Sequence, residues 1–422
     1  MRRTKWLAVL AALMVVAGAC GSSKSTNAAG PTSSGTGSKP SYTLGILTEM
    51  TGLLAADGKV IPPSVKAAEG YFNAQGYNLK YVVADTGTSP TGALTAAHQL
   101  VEQDHVFAVI MISAVGFSAA PYLTSQGIPV IGSSSDGNEW TTSRNMFSVF
   151  GTPNYSSVQT TTGDILKLLG AHNYSAVAYA ISPSSTQAAA SEAESARLAG
   201  IKVGYLDTKF PFGDTNVGPT VLAMKAAGVD SASFLVEQAS ALAILQGLKQ
   251  QGVTLKAPLI SIGYGGDLLN SGPAAEQAAT GAYFNVPMEP MELNTPATQQ
   301  FAKNMQTYAG EPQDQISINQ YLGYTSVFAF VQGLKAAGPN PTQAQLINAM
   351  LGIRSFNAAG LYGTHSVGFA MDQRGIGSAG ADNCTFLVRW SGSSFKLVTG
   401  AEPICGKNVT GGSASGSSTS AG

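Results

Sequence analysis

The chain has 422 residues, a net charge of −1 and a hydrophobic content of 44%, which is enough for two domains of roughly 100–200 residues each. Charged residues make up only 11%, against roughly 25% in an average soluble protein, so small polar residues must supply most of the wet surface. No basic cluster follows the first five residues. This argues against a nucleic-acid partner, because such binding needs a clustered positive field.

The N-terminal segment predicts export and a lipid anchor. A basic stretch over residues 1–5 precedes an apolar run from Leu7 to Ala17, which is shorter than the roughly 20 residues that span a membrane. Small residues then stand directly before Cys20, in a pattern similar to a bacterial lipobox. We expect a lipoprotein signal peptide over residues 1–19, lipidation of Cys20, and attachment to the extracytoplasmic face of the cell membrane. An ordinary secretory signal with cleavage nearby is the alternative.

Two low-complexity segments and two further cysteines follow from this. Residues 20–41 and 408–422 are rich in Ser, Thr and Gly, which predicts a flexible linker and a disordered tail. Beyond Cys20, only Cys384 and Cys405 remain, and an even number of cysteines in an oxidising compartment predicts one disulfide. The four histidines show no metal-ligand spacing, so we expect no metal site and no cofactor.

From Tyr42 the sequence alternates between strand and helix patterns. The apolar patterns predict strands in TLGILTEMTG and NLKYVVAD and helices in SVKAAEGYFNAQG and TGALTAAHQLVEQ. In the last of these, Leu94, Ala97 and Val101 would share the buried face. A strand over Val106–Ile112, a helix over Ser118–Gln126 and a strand over Pro129–Ile131 continue the series. This alternation predicts a parallel sheet with right-handed crossovers.

Small polar residues follow two neighbouring strands of this predicted sheet. Ser113 follows the first strand, and Ser134, Ser135 and Asp136 follow the second. Ligands of open α/β sheets bind outside the carboxyl ends of strands, so these residues predict a binding site. Serines also simply suit turns, which is the alternative.

A shift of composition over Met146–Tyr155 predicts a crossing into a second α/β unit. The expected elements there are helices over Ser156–Leu169, Thr186–Ala199, Val217–Ala227 and Ser240–Gln250, and strands over Ala176–Ala180, Lys202–Leu206, Ala232–Val236 and Leu259–Ile262. From Tyr283 we expect helices to dominate, followed by a closing hairpin in TFLVRW and SGSSFKLV. Two tandem α/β units predict two lobes with a ligand cleft between them.

The ordered body, from about Tyr42 to Val398, resembles the type I periplasmic solute-binding proteins of the branched-chain amino-acid (Leu/Ile/Val) receptor branch. The resemblance rests on the order and spacing of the segments TLGILTEMTGLLAADG, SVKAAEGYFNAQG, VVADTGTSPTGALTAAHQLVEQDHVFAVI, SQGIPVIGSSSDGNEWT and GLYGTHSVGFAMDQRG. It implies two Rossmann-like lobes joined by a hinge of several strands. Lobe I would comprise residues 42–152 and about 288–352, and lobe II residues 153–287 and about 353–407.

The family's ligand contacts map onto this chain only in part. Ser113 matches the serine that holds the ligand carboxylate, and Ser134 and Asp136 match contacts on the neighbouring loop, where the family usually has Thr at the second position. The second-lobe tyrosine maps to Glu237, or to Gln238 with a register shift of one.

Two further family positions also differ in this chain. The acid that usually anchors the ligand ammonium falls near Gly263–Tyr264 and is absent, which makes Tyr264 a candidate contact. The aromatic wedge at the cleft mouth falls at Asp57.

Together these residues predict the kind of solute. Ser113, Ser134 and Ser135 would supply neutral donors, and Asp57, Asp136 and Glu237 would be acidic neighbours that repel each other unless a cation lies between them. We therefore expect a small polar solute, amino-acid-like or amide-like, with at least one amine or amide N–H group, and we disfavour purely anionic or aliphatic ligands.

The resemblance also implies a mechanism and partners. The protein would be a monomeric binding protein that closes its lobes over the solute and docks on the membrane permease of an ABC importer. A receptor of the same fold that reports to a signalling partner is the alternative. We expect no enzymatic activity, because no Gly-x-Ser-x-Gly, phosphate-loop or His-Glu-x-x-His motif occurs.

Overall fold

The computed structural model describes residues 40–133, 137–152, 154, 157–375 and 380–413. These residues belong to one compact unit. The predicted signal peptide and Cys20 lie outside the described residues, as do Ser134, Ser135 and Asp136. Within the described part, no helix combines the length and the apolar character needed to cross a membrane.

The first sheet is fully parallel, as the alternating pattern predicts. Its five strands lie in the order β2-β1-β3-β4-β5, with strand bounds β1 Tyr42–Thr48, β2 Leu79–Asp85, β3 Ala108–Met111, β4 Val130–Gly132 and β5 Met146–Ser148. Strand β3 is buried along its whole length, since parallel strands are covered by helices on both faces.

Helices cover this sheet, and one of them differs from expectation in its buried face. The helices are α1 Ala55–Lys59, α2 Ile61–Ala74, α3 Pro90–His98, α4 Ala120–Ser125 and α5 Glu139–Thr142. In α3, the predicted core residue Leu94 is 38% exposed, whereas Ala93, Ala96 and Ala97 are buried. The assignment of Leu94 was wrong because α3 packs closely through its alanines, which turns the larger side chain outward.

The second sheet is mixed. It follows the order β13-β12-β11-β10-β9-β7-β8, with strand bounds β6 Ser157–Gln159 (outside this sheet), β7 Asn173–Tyr179, β8 Lys202–Phe210, β9 Ser231–Leu235, β10 Ala257–Ile260, β11 Tyr283–Val286, β12 Cys384–Trp390 and β13 Phe395–Leu397. Strand β11 continues the parallel series where the sequence predicts mainly helices, and β12 and β13 form the predicted antiparallel hairpin.

The remaining helices fall into two groups. The helices that follow the strands of the second sheet are α6 Thr161–Leu168, α7 Pro183–Leu198, α8 Gly218–Ala227, α9 Gln238–Gln250, α10 Gly266–Leu269 and α11 Pro273–Ala279. Three later helices are α12 Pro296–Asn304, α13 Ile318–Ala337 and α14 Gln343–Leu351. Helix α13 packs against α2, so the chain returns to the first sheet before β12. We call the first sheet with its helices lobe I and the second lobe II.

The C-terminal segment is more ordered than its composition predicts. Strand β14 (Ile404–Cys405) pairs with β12, and β15 (Asn408–Ser413) pairs antiparallel with β6. The disorder expected from residue 408 therefore does not hold for 408–413, because β6 offers a free edge. Because residues 157–159 form β6, helix α6 begins at Thr161 and not at the predicted Ser156.

The predicted disulfide is present. Cys384 and Cys405 are opposite each other in the β12–β14 ladder, with Cα atoms 4.0 Å apart and a sequence separation of 21. The bond therefore fixes the segment that leads into β15.

A buried arginine fixes one of the connections between the lobes. The Arg374 guanidinium donates to the carbonyls of Trp140, Ser143 and Phe369, at 2.7–3.2 Å, and burial lowers its pKa to about 10. Next to it, Gly375 N donates to Thr152 O at 2.7 Å. The late segment of the chain therefore binds both the end of lobe I and the first crossing.

Replacing both cysteines by serine should lower the free energy of unfolding by about 3 kcal/mol, because the bond closes a loop of roughly 20 residues in the unfolded chain. Urea unfolding of the oxidised protein and of the Cys384→Ser/Cys405→Ser variant measures this difference. The reduced wild-type protein is the control and should match the variant. Equal midpoints for all three would contradict a stabilising bond.

Candidate functional site

Glu49 is not among the predicted site residues. It directly follows β1 and is 3% exposed. Its Oε1 atom accepts a hydrogen bond from the Ser113 hydroxyl at 2.6 Å and another from Ala114 N at 2.9 Å. Both donors follow β3, at the carboxyl edge of the first sheet. The predicted ligand residue Ser113 therefore does hold a carboxylate, but it is one that the chain itself supplies.

Asp57 lies beside Glu49 because helix α1 folds back over the end of β1. The next residue, Gly58, sits so close to the Glu49 carbonyl that a Cβ atom there would overlap it. The Asp57 carbonyl accepts a hydrogen bond from Asn319 Nδ2 at 3.3 Å. Helix α1 is thereby held between β1 and the first turn of α13.

Asp267 comes to the same place from lobe II. Ser317, which caps α13, forms an isolated antiparallel bridge with Gly265, and Gly266 N donates to Ile316 O at 3.3 Å. These contacts place α10, with Asp267 in its first turn, against the N-terminus of α13. The Asp267 side chain is 9% exposed, and its Oδ2 atom has no hydrogen-bond partner among the described residues.

Glu237 is the fourth acid, and it caps α9. Its Oε1 atom accepts from Ser240 N at 3.2 Å, while its Oε2 atom has no hydrogen-bond partner in the described part of the chain. The residue is 6% exposed. It was predicted from the resemblance as a ligand contact.

The loops that carry these acids touch across the two lobes. The Ser240 hydroxyl lies within hydrogen-bond distance of both Asp214 O, at 2.7 Å, and Glu237 Oε1. The neighbouring Gly213 lies directly against the side chain of Leu53, which precedes α1. A Cβ atom on Gly213 would overlap Leu53. The structure therefore has the two lobes in contact at this point.

Each of the four carboxyl groups titrates above its usual range. Burial raises the pKa of Glu49 to about 7, and the Ser113 and Ala114 hydrogen bonds offset this only in part. Burial and the charge of Glu237 raise the pKa of Asp57 to about 6. Burial raises the pKa of Glu237, and burial together with Asp57 raises that of Asp267 well above its usual range. The Asp57 carboxyl group of lobe I therefore interacts electrostatically with the Glu237 and Asp267 carboxyl groups of lobe II.

In the described part of the chain, no Lys, Arg or His side chain forms an ion pair with these acids. Among the described residues, the ion pairs involve other carboxylates. We call Glu49, Asp57, Glu237 and Asp267 the acidic cluster. Two carboxyl oxygens without a partner among the described residues, each on a residue about nine-tenths buried or more, are unusual in a folded protein and make the acidic cluster the candidate binding site.

A separate cavity of about 300 Å³ is lined mostly by residues of lobe II, among them Ser185, Glu192, Leu235 and Asn285, and also by Phe150 and Ile318. It holds none of the acidic cluster, and Glu192 accepts a hydrogen bond from Tyr174. We place the candidate site at the acidic cluster because buried carboxyl oxygens without a hydrogen-bond partner among the described residues are found there.

The remaining predicted residue, Tyr264, packs within the protein and contacts none of the acidic cluster in the hydrogen bonds of its hydroxyl. It is buried, its hydroxyl donates to Glu292 Oε2 at 2.6 Å and accepts from Met291 N at 2.9 Å, and its ring packs on Phe395. Both hydrogen-bonding capacities of the hydroxyl are used within the protein, so the structure does not bring it to the acidic cluster.

Two lobes of this architecture with a polar cleft were expected from the resemblance, and comparison with known proteins decides the family. The sequence profile of the family described as periplasmic binding protein matches residues 41–394. The chain belongs to the periplasmic binding protein family. The predicted resemblance and the two-lobed α/β fold are thereby confirmed, and membership of a family of binding proteins agrees with the expectation that the protein is not an enzyme.

Solved structures agree with this periplasmic binding protein in fold. A leucine binding protein LivK from Thermotoga maritima is 17% identical, covering 86% of this chain and 99% of its own, with a TM-score of 0.72. A branched-chain amino acid transporter substrate binding protein LivJ from Streptococcus pneumoniae, in complex with isoleucine, is 18% identical over 88% and 99%, with a TM-score of 0.68. A solute binding protein from R. palustris in complex with benzoate is 17% identical over 87% and 98%, with a TM-score of 0.69. Comparison with curated proteins finds no match.

Glu49→Gln should reduce the pH dependence of folding stability. The pKa of Glu49 is about 7 in the folded protein, against an ordinary value of 4.5, so the folded state binds this proton more tightly than the unfolded chain does. The resulting stabilisation is complete below the ordinary pKa and is lost as the pH rises through about 7. It amounts to about 3 kcal/mol, measurable by urea unfolding of the solute-free protein at about pH 5 and about pH 8.

The exposed acid Glu402 provides the control for this measurement. Glu402→Gln should keep the wild-type difference between the two pH values, whereas Glu49→Gln should shrink it. If both variants and the wild type show the same difference, the buried proton of Glu49 does not exist.

Proposed function

We propose that this protein is the extracytoplasmic substrate-binding component of an ABC importer, and that it captures a small polar solute with at least one amine or amide N–H group by closing its lobes. The observation that carries the proposal is the acidic cluster, whose carboxylates come from both lobes and have no cation partner among the described residues. A bound N–H group would supply the missing donor and, when charged, the missing counter-charge.

The acidic cluster also bears on the choice between solute classes. The structurally similar proteins were solved with isoleucine and with benzoate. A purely anionic solute in this site would place negative charge beside four carboxyl groups, which is unfavourable whenever these groups are ionised. The chemistry of the site therefore favours an amine or an amide over an aromatic acid.

The N-terminal sequence supports the location in this proposal. The basic stretch, the apolar run and Cys20 would place a lipid on the first residue of the mature chain, and the Ser/Thr/Gly-rich segment up to residue 41 would act as a tether. A protein held in this way stays near a membrane permease while its lobes open and close. We further propose that it acts as a monomer with lobe I and lobe II bounded as the resemblance implies.

The lobe contact between Leu53 and Gly213 gives a test of closure. Gly213 has φ +70°, a conformation that asparagine tolerates better than other side chains. Gly213→Asn should therefore keep the loop but place atoms where Leu53 lies in the closed form, and we expect at least tenfold weaker solute binding. The solute for this test is taken from a thermal-shift screen of amino acids, their amides, diamines and benzoate, since saturating ligand adds about 2.7 kcal/mol at 100 times its dissociation constant.

The double variant Gly213→Asn/Leu53→Ala removes the overlapping side chain and should recover most of the affinity. Solution scattering should show a smaller radius of gyration on solute addition for the wild type and the double variant, and a weaker change for Gly213→Asn. Wild-type affinity in Gly213→Asn with an unchanged radius would show that the lobes do not close at this contact.

A further inference from the structure

The site already contains a carboxylate where the resemblance places the carboxylate of the solute. The Ser113 hydroxyl has one proton, and it is donated to Glu49 Oε1, as is the N–H of Ala114. Glu49 is 3% exposed, so these two donors are covered by the chain itself. A solute carboxylate would have to displace Glu49 from them.

On the lobe II side of the site, two buried carboxyl groups each have an oxygen that lacks a hydrogen-bond donor among the described residues. Glu237 Oε2 and Asp267 Oδ2 are buried, and neither has a hydrogen-bond partner among the described residues. They belong to different elements, α9 and α10, and the Asp57 backbone contact with Asn319 brings a third acid, from lobe I, to the same boundary. Two acceptors on different elements therefore lack a donor among the described residues.

A single metal ion does not suit this arrangement. Among the described residues, the one group of three or more metal-ligating side chains close enough to share an ion is His365 with Cys384 and Cys405, and those two cysteines are joined to each other. The carboxylates of the acidic cluster are thus too far apart for three of them to bind one ion. A solute that contacts carboxyl oxygens on separate elements must carry its positive charges at separate positions.

We propose that the solute is a linear diamine or polyamine without a carboxylate group, bound with one ammonium group near Glu237 and another near Asp267 and Asp57, while Glu49 occupies the Ser113 and Ala114 donors. This inference rests on the proposed function, because it specifies the solute of the same site. Each ammonium group has three N–H donors, enough to satisfy the unpaired oxygens on both elements.

Two buried amide groups, Gln238 Nε2 and Gln320 Nε2, also lack a hydrogen-bond acceptor among the described residues. A solute carboxylate could supply that acceptor, so the comparison of a diamine with its matching amino acid is decisive. 1,5-Diaminopentane is L-lysine without the carboxylate, and 1-aminopentane is the same chain with a single amine.

Calorimetry of the wild-type protein with these three compounds, with spermidine and with L-leucine tests the proposal. We expect 1,5-diaminopentane or spermidine to bind at least tenfold more tightly than 1-aminopentane, L-lysine and L-leucine. Glu237→Gln and Asp267→Asn should each weaken diamine binding tenfold or more, since each removes a charge-assisted contact, and Glu402→Gln should not change it. Thermal unfolding of each variant verifies that it is folded.

Two substitutions at Glu49 allow a second measurement, in which the net charge of the site is the same for both variants. Glu49→Gln removes the charge but keeps an oxygen for Ser113 and Ala114, whereas Glu49→Ala removes the charge and frees both donors. The ratio of L-lysine affinity to diamine affinity should therefore rise at least tenfold in Glu49→Ala relative to Glu49→Gln. Equal ratios in the two variants would show that Glu49 does not occupy a carboxylate site.

The outcomes separate this inference from the proposed function. If L-lysine, a monoamine, an amide or L-leucine binds as tightly as the diamines, or if no diamine or polyamine binds, the diamine proposal is overturned. A solute from the wider screen that still closes the lobes would leave the proposed function intact. If no compound of that screen binds or changes the radius of gyration, the proposed function fails as well.

Discussion

A carboxyl group that is removed from water needs hydrogen-bond donors or cations in its place, and in this protein that requirement falls at the boundary of the two lobes. Water is largely excluded from Glu49, Glu237 and Asp267, and removing a carboxylate from water costs several kcal/mol unless donors or cations replace the water. The chain supplies donors only in part. The carboxyl oxygens that lack a donor among the described residues lie at the boundary of the lobes. The free energy of contact between the lobes therefore depends on what enters this boundary.

Local donors explain how the folded chain tolerates these acids. Glu237 is the N-cap of α9, where the free N–H groups of the first turn favour negative charge. Glu49 has a hydroxyl and a backbone N–H at the end of β3, and Asp267 lies in the first turn of α10 near Ser317. Each acid is thus held by the start of a helix or the end of a strand, which fixes its position before any solute arrives.

The architecture could be predicted from the sequence because it depends on patterns that are local. Buried strands such as β3 and helices such as α2 have unambiguous periodicity, and the position of Ser113 after β3 follows directly from it. The role of Glu49 was missed although TLGILTEMTG contains it, because its meaning depends on Ser113, which is 64 positions away in the chain. Asp267 was missed for the same reason, since only the bridge between Gly265 and Ser317 brings α10 to the boundary. In a chain with 11% charged residues, an acid directly after a buried strand was the available signal.

The contact between Leu53 and Gly213 also has a practical side. Leu53 is 54% exposed, yet one part of its side chain touches the opposite lobe. Both cysteines among the described residues are joined in the bond between β12 and β14, so that part of the chain offers no competing thiol. A cysteine introduced at Leu53 can therefore carry an environment-sensitive fluorophore at the place where the lobes meet. The emission of such a conjugate would report occupancy directly, which makes this scaffold suited to a reagentless optical assay.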